Sequence, residues 1–214
     1  MYATGLEHGN NQIGYTMLSV IFLREHNRIC DELTAIYQGQ DGWDADRLFE
    51  TTRSIMIVLL LNIVLNEYVA QVGVVKFPFA AEIGWAETKP WYRNNWINVE
   101  FSLLYRWHSM VPDVLQVGDR ALTAQEFRMN PQLIQELGVG AIVTAASQQT
   151  AGRIGLGNTH DMFLDPMPPK SGNASIQETT LQIARDAKLQ PLNAYRKQFG
   201  LPEITDFAQL VGDD

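Results

Sequence analysis

Cysteine is almost absent from the sequence. Only one of the 214 residues, Cys30, carries a thiol. A single cysteine excludes an internal disulfide framework and any zinc site built from several thiolates. Cys30 lies in a stretch with apolar residues at helical spacing, so we expect it to be a small buried hydrophobic residue.

Positive charge is also scarce. Lysine and arginine together number 16 against 24 aspartates and glutamates, which leaves a net charge of -8. An acidic chain without a cluster of basic residues lacks the surface that binds nucleic acid or attaches a protein to anionic lipid. We therefore expect no nucleic-acid partner.

Long hydrophobic runs are missing as well. The longest, residues 55–65, covers 11 positions and is interrupted by Asn62, whereas a membrane-spanning helix needs about 20 apolar residues. The run therefore predicts a buried core helix and no transmembrane segment. Residues 1–12 are mostly polar, so no secretory signal peptide is predicted there. The cellular compartment is left unassigned.

The rest of the composition is typical of a globular chain. Hydrophobic residues make up 46% and charged residues 19%, and at this length about 70% of the unfolded surface can be buried. Apolar residues recur at three- and four-residue spacing, and no strand run is long enough to build a sheet-based fold. The predicted fold class is all-α, with a turn or short strand pair within 117–127 and loops at 73–95 and 155–175. The predicted helices are 13–36, 45–72, 96–109, one starting at 123, 131–149, 175–189 and 190–200.

Common catalytic motifs are absent. There is no P-loop, no HExxH zinc signature and no GxSxG nucleophile elbow. The candidates that remain are the four histidines. His8 and His160 lie among glycines and polar residues and are expected on surface loops. His26, in REHNR (24–28), is expected to join a polar cluster of helix side chains and not to bind a ligand.

His108 differs from the other histidines because it lies in an aromatic-rich string, EFSLLYRWHSMVPD (100–113). On one helix, Phe101, Tyr105 and His108 would share a face, with the Cβ atoms of the last two about 5–6 Å apart. A neutral imidazole is a good axial ligand for haem iron, and a phenol one turn away would lie near the porphyrin. From spacing alone, a core histidine with satisfied hydrogen bonds is the commoner explanation, so both interpretations stay open at this point.

Seven blocks follow one another in a set order along nearly the whole chain: FLREHNRICDEL (22–33), WDADRLFETTR (43–53), NEYVAQV (66–72), EFSLLYRWHSMVPD (100–113), TAGRIGLG (150–157), LQPLNAYRKQFGL (189–201) and ITDFAQLVG (204–212). In these blocks the chain resembles the animal-type haem peroxidase superfamily, and most of all its cyclooxygenase and fatty-acid dioxygenase branch. The combination of REHNR with YxWH is the specific part of the resemblance.

The resemblance implies a haem-peroxidase-like helical domain with haem b as cofactor. It implies that His108 is the proximal ligand of the haem iron, with Trp107 beside it. It also implies that Tyr105 becomes a radical that takes hydrogen from a fatty acid or other small-molecule substrate, with peroxide and O2 as co-substrates. Tyr68 would hydrogen-bond the radical tyrosine. The residues implied to line the substrate channel are Tyr68, Val69, Phe101 and Leu104.

The sequence also departs from this family. The family's distal histidine and its glutamine or arginine partner have no counterpart here, nor has the arginine that binds the substrate carboxylate, and Val75 occupies a position where the family has tyrosine. Residues 1–214 are therefore expected to form a partial, incomplete catalytic domain whose distal half is missing. Its apolar helices would expose surface that a missing chain segment or a second copy in a homo-oligomer would cover.

Three functions stay open. The leading hypothesis is a haem-dependent dioxygenase of cyclooxygenase type that acts on fatty acids through a tyrosyl radical. The second is a plain haem peroxidase that oxidises small reductants, in which Tyr105 only packs. The third is a non-catalytic helical remnant, because a function must be argued from a complete site.

Overall fold

A computed structural model describes residues 2, 9–10, 12–73, 84–92, 97–155, 157–165 and 174–212. In these ranges the protein is mostly helical and has one small two-stranded sheet, which confirms the predicted fold class. In chain order the elements are α1 Ile13–Ile36, α2 Ala45–Asn62, a π-helical segment Ile63–Tyr68, α3 Val69–Val72, a 3-10 turn Ala86–Thr88, α4 Val99–Leu104, a 3-10 turn Trp107–Met110, β1 Val114–Val117, β2 Arg120–Thr123, α5 Ala124–Phe127, α6 Gln132–Leu137, α7 Val139–Gln148, α8 Asp161–Leu164, α9 Ile176–Asp186, α10 Leu192–Gln198 and α11 Phe207–Val211.

The chain forms two compact units. The first comprises Met1–Arg93 and Phe127–Thr144, and the second comprises Asn94–Glu126 and Ala145–Asp214. In the first unit α1 packs against α2 and contacts α6. The buried apolar side chains of this unit are Ile13, Met17, Val20, Phe127, Leu133, Ile134 and Ile142.

Helix α1 has the bounds that its apolar spacing predicts. Its fully buried Thr16 is tolerated because its hydroxyl donates to the carbonyl oxygen of Gly9 at 2.9 Å. Toward its C-terminus the helix is more exposed, so Cys30 is half-buried. The prediction that Cys30 is a buried residue is therefore wrong.

The second predicted helix runs without interruption from Ala45 to Val72, through α2, the π-helical segment and α3. Its predicted N-cap is confirmed, since a carboxylate oxygen of Asp44 accepts from the backbone N–H of Arg47 at 2.9 Å. The prediction that it is a buried core helix is wrong. Between residues 55 and 61 the exposed apolar side chains are Ile55, Ile57, Val58, Leu59, Leu60 and Leu61, and Phe49 near the start of the helix is exposed as well.

This helix is long and apolar enough to cross a membrane, with a mean hydropathy of 1.9 over its most apolar 18-residue window. A core helix of a soluble protein satisfies the same criterion. The prediction counted only the run at 55–65, whereas the helix continues to Val72 and its most apolar 18-residue window contains no more than two charged residues. The exposed apolar surface expected from the sequence is observed on this helix.

The second unit contains the β-hairpin, which confirms the short strand pair. Strands β1 and β2 are antiparallel, with Val114 opposite Thr123 and Val117 opposite Arg120. Gly118 begins the two-residue turn with φ +58°, a conformation that glycine adopts at little cost. After the hairpin, the side-chain carboxylate of Glu126 accepts from the backbone N–H of Thr123 at 2.8 Å, and this bond lowers the pKa of Glu126.

The helix predicted over 96–109 is much shorter than expected. Trp96 lies outside the described residues, and α4 ends at Leu104 because Tyr105 and Arg106 leave the helical region, with ψ angles of 57° and 93°. The side chain of Arg106 turns back, and its Nε donates to the carbonyl oxygen of Ser102 at 3.1 Å. It thereby satisfies a carbonyl that the helix end leaves open.

Two other predicted segments also differ. The helix predicted over 131–149 is two helices, α6 and α7, because Gly138 lies between them with φ 82° and ψ 144°. The loop predicted over 155–175 contains α8, and its residues 166–173 lie outside the described residues, as do 74–83 of the other predicted loop. Helix α9 begins as predicted, with a capping box between Ser175 and Glu178.

The break between α6 and α7 yields a test of the fold. Gly138→Ala is expected to lower the free energy of unfolding by about 1–3 kcal/mol, because an L side chain is strained at these angles. The control is Gly140→Ala inside α7, where an added Cβ meets no described atom within 4 Å. This change should stabilise the chain by about 0.5–1 kcal/mol. Urea unfolding measures both, and equal effects would contradict the assignment of the break to Gly138.

Candidate functional site

The predicted iron ligand, His108, lies in the 3-10 turn that follows α4 in the second unit. Two contacts hold this turn to other elements of the same unit. The guanidinium of Arg106 donates to the hydroxyl of Thr180 on α9 at 3.0 Å, and the side-chain amide of Asn158 donates to the carbonyl oxygen of Ser109 at 3.2 Å. The backbone around His108 is therefore set by residues far along the chain.

The His108 ring is held on its edge and on its face. Its Nδ1 lies 2.9 Å from the side-chain amide nitrogen of Gln177 on α9. The Phe163 ring on α8 stacks on it with 4.1 Å between centroids and an interplanar angle of 8°. In the part of the chain that the structure describes, the other ring nitrogen, Nε2, makes no hydrogen bond to protein. One nitrogen of the imidazole is thus anchored and the other is available.

The surroundings of His108 favour the neutral imidazole. Burial lowers the pKa of His108 from its ordinary value, and the positive charge of Arg106 lowers this pKa further. A histidine must be unprotonated on the ligating nitrogen to bind a metal ion, so a lowered pKa preserves the ligating form at mildly acidic pH. The electrostatics therefore agree with a ligand role.

The donor set fits haem iron. Binding through Nε2 requires the proton on Nδ1, which would donate to the amide oxygen of Gln177 once the amide is rotated by 180°. A hydrogen bond of this kind orients an axial histidine and raises its basicity. The indole Nε1 of the adjacent Trp107 is buried and has no hydrogen-bond partner within the described ranges, so this N–H can donate to a bound group.

A single histidine is also the right number of donors. The described ranges contain no group of three or more His, Cys, Asp or Glu side chains that could hold a metal ion by themselves. A haem iron takes four ligands from its porphyrin and needs one from the proximal side of the protein.

Tyr105 lies in a row of three aromatic rings that ends at the turn of His108. It stacks on Phe101 at 4.9 Å between centroids and 15°, and it meets Trp107 edge-on at 4.9 Å and 70°. The predicted common face therefore exists for Phe101 and Tyr105, which are four residues apart. It does not extend to His108, because the helix ends between them. The Tyr105 ring contacts the turn of His108 through the Trp107 ring, and the two residues do not share a helix.

The predicted channel residues differ in exposure and lie in both units. In the second unit, Leu104 is 83% exposed and Phe101 is also exposed. In the first unit, Tyr68 ends the π-helical segment with an exposed ring, and Val69 starts α3 and is half-buried. π-Helical segments are rare, and those that occur are often found at functional sites. No motif in the sequence predicted this one. The pairing of Tyr68 with Tyr105 stays a prediction.

The other histidines correct two expectations. Arg28 pairs with Glu25 at 2.6 Å, but His26 does not join this cluster: its ring packs against Phe49 at 5.3 Å between centroids, and its buried Nε2 has no partner in the described ranges. The side chain of His160 is only 8% exposed, so its assignment to a surface loop is wrong. His8 and the departure noted at Val75 lie outside the described residues.

Gly152 is a site residue that the sequence did not single out, although it lies in the TAGRIGLG block. Its backbone N–H donates to the carbonyl oxygen of Met110 at 3.0 Å, directly behind the turn of His108. A Cβ added to Gly152 would lie 2.1 Å from the carbonyl oxygen of Ser109. Only glycine allows the two backbone segments to approach so closely.

Gly152→Ala should therefore displace the turn that carries His108. We expect a loss of about 1–3 kcal/mol in the free energy of unfolding, because the neighbouring atoms are backbone and cannot rotate away. The matched control is Gly155→Ala, where an added Cβ meets no described atom within 4 Å. Urea unfolding and near-ultraviolet circular dichroism of the turn's tryptophan measure the effect. An unchanged spectrum in G152A would contradict the close approach.

Comparison with known proteins identifies the family of the chain. The family model for animal haem peroxidases matches residues 1–213. Prostaglandin G/H synthase 1 of Mus musculus is 36% identical over 202 residues, which cover 94% of this chain and 31% of that protein. Prostaglandin G/H synthase 2 of Equus caballus is 34% identical over 212 residues, covering 99% of this chain and 33% of that protein.

A solved structure shows the same fold. Peroxidase A from Dictyostelium discoideum superposes with a TM-score of 0.79 at 22% identity, over 100% of this chain and 41% of that one. The chain thus spans about a third of the length of the curated relatives it matches. Because the family model for animal haem peroxidases matches all but the last residue of the chain, the chain belongs to the animal haem peroxidase family.

Proposed function

We propose that the protein is a haem-dependent oxidoreductase of cyclooxygenase type that oxygenates fatty acids through a radical on Tyr105. The observation that carries the proposal is the site in the second unit: His108 has one ring nitrogen anchored by Gln177 and the other available. The Tyr105 ring is connected to the same turn through Trp107. The prostaglandin G/H synthases among the relatives support this choice of chemistry.

His108 would bind the iron of haem b through Nε2. The amide oxygen of Gln177 would accept a hydrogen bond from the Nδ1–H group and fix the orientation of the imidazole ring. When bound, the haem supplies the reduction of peroxide and the oxidising equivalent that the protein then uses. Trp107, with its buried and unmatched Nε1, would lie at the border of the cofactor.

Tyr105 would carry out the hydrogen transfer. Its phenol would lose one electron to that oxidising equivalent and one proton to solvent, and would become a phenoxyl radical. The radical oxygen then takes a hydrogen atom from an activated CH2 group of a polyunsaturated fatty acid, which restores the O–H bond and leaves a carbon radical on the substrate. O2 adds to that carbon and gives a peroxyl radical, which takes a hydrogen atom from the restored Tyr105 O–H bond, so that a fatty-acid hydroperoxide forms and the phenoxyl radical is regenerated. The stacking of Tyr105 between Phe101 and Trp107 would keep the phenol at one angle during these steps.

The substrate would contact apolar side chains beside the phenol. Leu104 and Phe101 expose hydrocarbon in the second unit, next to Tyr105 in the chain, and burial of such surface by an acyl chain is favourable. For Tyr68 and Val69, a role in substrate binding rests on the resemblance and is part of the proposal.

A plain peroxidase acting on small reductants is the second candidate. Two observations favour it. Helix α4 ends at Leu104, so Tyr105 and His108 do not share a helical face. Tyr105 is also 43% exposed. An exposed phenol is open to small molecules and less suited to protect a radical from solvent. In this function Tyr105 would only pack.

One assay on the haem-loaded protein separates these functions. Oxygen uptake with linoleate, started by a small amount of peroxide, is expected for the dioxygenase. Oxidation of guaiacol without oxygen uptake would support the plain peroxidase and overturn the dioxygenase. A haem absorption band without either activity would identify a non-catalytic chain. Haem-free protein and haem with albumin serve as controls for free haem.

A further inference from the structure

His160 occupies a position that its sequence context did not predict. It is the N-cap of α8, and its Nδ1 accepts a hydrogen bond from the backbone N–H of Met162 at 2.9 Å. The bond requires an unprotonated Nδ1, so in the neutral ring the proton is on Nε2. Nε2 is buried, and the nearest carboxylate oxygen, Oδ1 of Asp113, is 3.5 Å away.

Helix α8 depends on this cap. It has only four residues, from Asp161 to Leu164, and a helix of one turn cannot repay the entropy cost of its own nucleation. Satisfying an open N–H at its start is one of the few local interactions that can stabilise it. The burial of Met162 and Phe163 also stabilises the helix.

The same helix carries the ring that lies on the predicted iron ligand. Phe163 stacks on His108 at 4.1 Å between centroids, and the His160 and Phe163 rings are nearly perpendicular, with 6.4 Å between centroids and an angle of 83°. Three rings from two segments of the second unit therefore form one packed group. Within this group Phe163 belongs to α8, and His160 is the residue whose side chain caps that helix.

We propose that His160 is a positioning residue for the haem ligand: by capping α8 it holds Phe163 against the face of His108. Gln177 then sets the edge of the imidazole and Phe163 sets its face, which leaves Nε2 a single direction in which to bind. The role of His108 as ligand belongs to the proposed function, whereas the His160 contact to α8 and the stack do not depend on it.

The test compares three variants. His160→Ala removes the cap. His160→Asn keeps an acceptor of the type that caps helices best. Phe163→Leu leaves the cap but removes the aromatic face. In the haem-free protein, proton NMR should find the His108 ring protons shifted upfield by the Phe163 ring in the wild type and in H160N. The shift should be lost in H160A and in F163L.

In the haem-loaded protein, H160A and F163L should each weaken haem binding by about 10–100-fold, the usual effect of losing a partner that orients a metal ligand. The double variant should lose no more than either single change, since both act through one contact. H160N should retain wild-type affinity. Losses that add in the double variant, or an upfield shift that persists in H160A, would overturn the proposal.

Thermal unfolding of each variant shows whether the chain remains folded. If H160A unfolds, H160N and F163L still decide: a wild-type shift in H160N with loss in F163L supports the proposal, and loss in H160N overturns it. A wild-type protein that has the upfield shift but binds no haem would refute the proposed function and leave the positioning of the ring intact. The two failures are therefore distinguishable.

Discussion

Replacing His108 with alanine is expected to abolish the haem absorption band of the reconstituted protein. The loss should exceed the roughly 100-fold that removal of an outer partner costs, since the iron loses its protein ligand outright. The measurement is titration with haem followed by absorption in the Soret region. His26→Gln is the matched control, because the Nε2 of His26 has no hydrogen-bond partner in the described ranges, but His26 lies in the other unit.

A second version of this experiment separates ligand loss from unfolding. His108→Gly leaves a space beside the Phe163 ring, and imidazole added to the solution can enter it and bind iron. The haem band should return as imidazole is added to H108G and should not change in H26Q. A band of wild-type intensity in H108A would refute His108 as the ligand.

Replacing Tyr105 with phenylalanine is expected to stop fatty-acid oxygenation while haem binding continues. The variant retains the ring that stacks between Phe101 and Trp107 but has no O–H bond that can lose and regain hydrogen. Oxygen uptake with linoleate should fall by more than about a hundredfold, as expected when a reacting group is removed. The oxidation of guaiacol should change little.

Tyr195→Phe is the matched control for the loss of a phenol. Tyr195 lies in the same unit, and its hydroxyl donates to the carboxylate of Glu100 at 3.1 Å. Burial, followed by this carboxylate, raises the pKa of Tyr195, so its proton is held more firmly than in a free phenol. Oxygenation should survive in Y195F. Oxygenation that also survives in Y105F would leave Tyr105 with a packing role and favour the plain peroxidase.

The local signals in the sequence predicted local structure well. The apolar spacing of α1, the Asp44 cap of α2 and the capping box of α9 all appear as expected. Each feature depends on residues within four positions of one another, so a short stretch of sequence shows both partners of the interaction. The same reasoning failed at Tyr105, where nothing in the composition interrupts a helix. The hydrogen bond from Arg106 to Thr180, which lies 74 residues later, helps to hold the non-helical backbone that follows Leu104.

Burial was harder to predict than helicity. The apolar residues of the 45–72 helix are of the type that lies in a core, yet six of the seven side chains from 55 to 61 are exposed. The hydrophobicity of a side chain indicates the free energy gained when it is buried. It does not show whether another element of the fold packs over it. For His160 the error was the opposite one. Its polar neighbours in the sequence predicted an exposed side chain, but the side chain is buried beside α8 and the Phe163 ring.

By itself, the sequence determined the helical fold class, most helix starts, the family and the residue types that suit haem, because these follow from local periodicity and from motif order. Only the tertiary structure decided how His108 is held. Gln177 and Phe163 reach it from 69 and 55 positions further along the chain. Contacts at such separations leave no periodic trace in a single sequence, since they are formed only when the chain folds and brings the turn, α8 and α9 together.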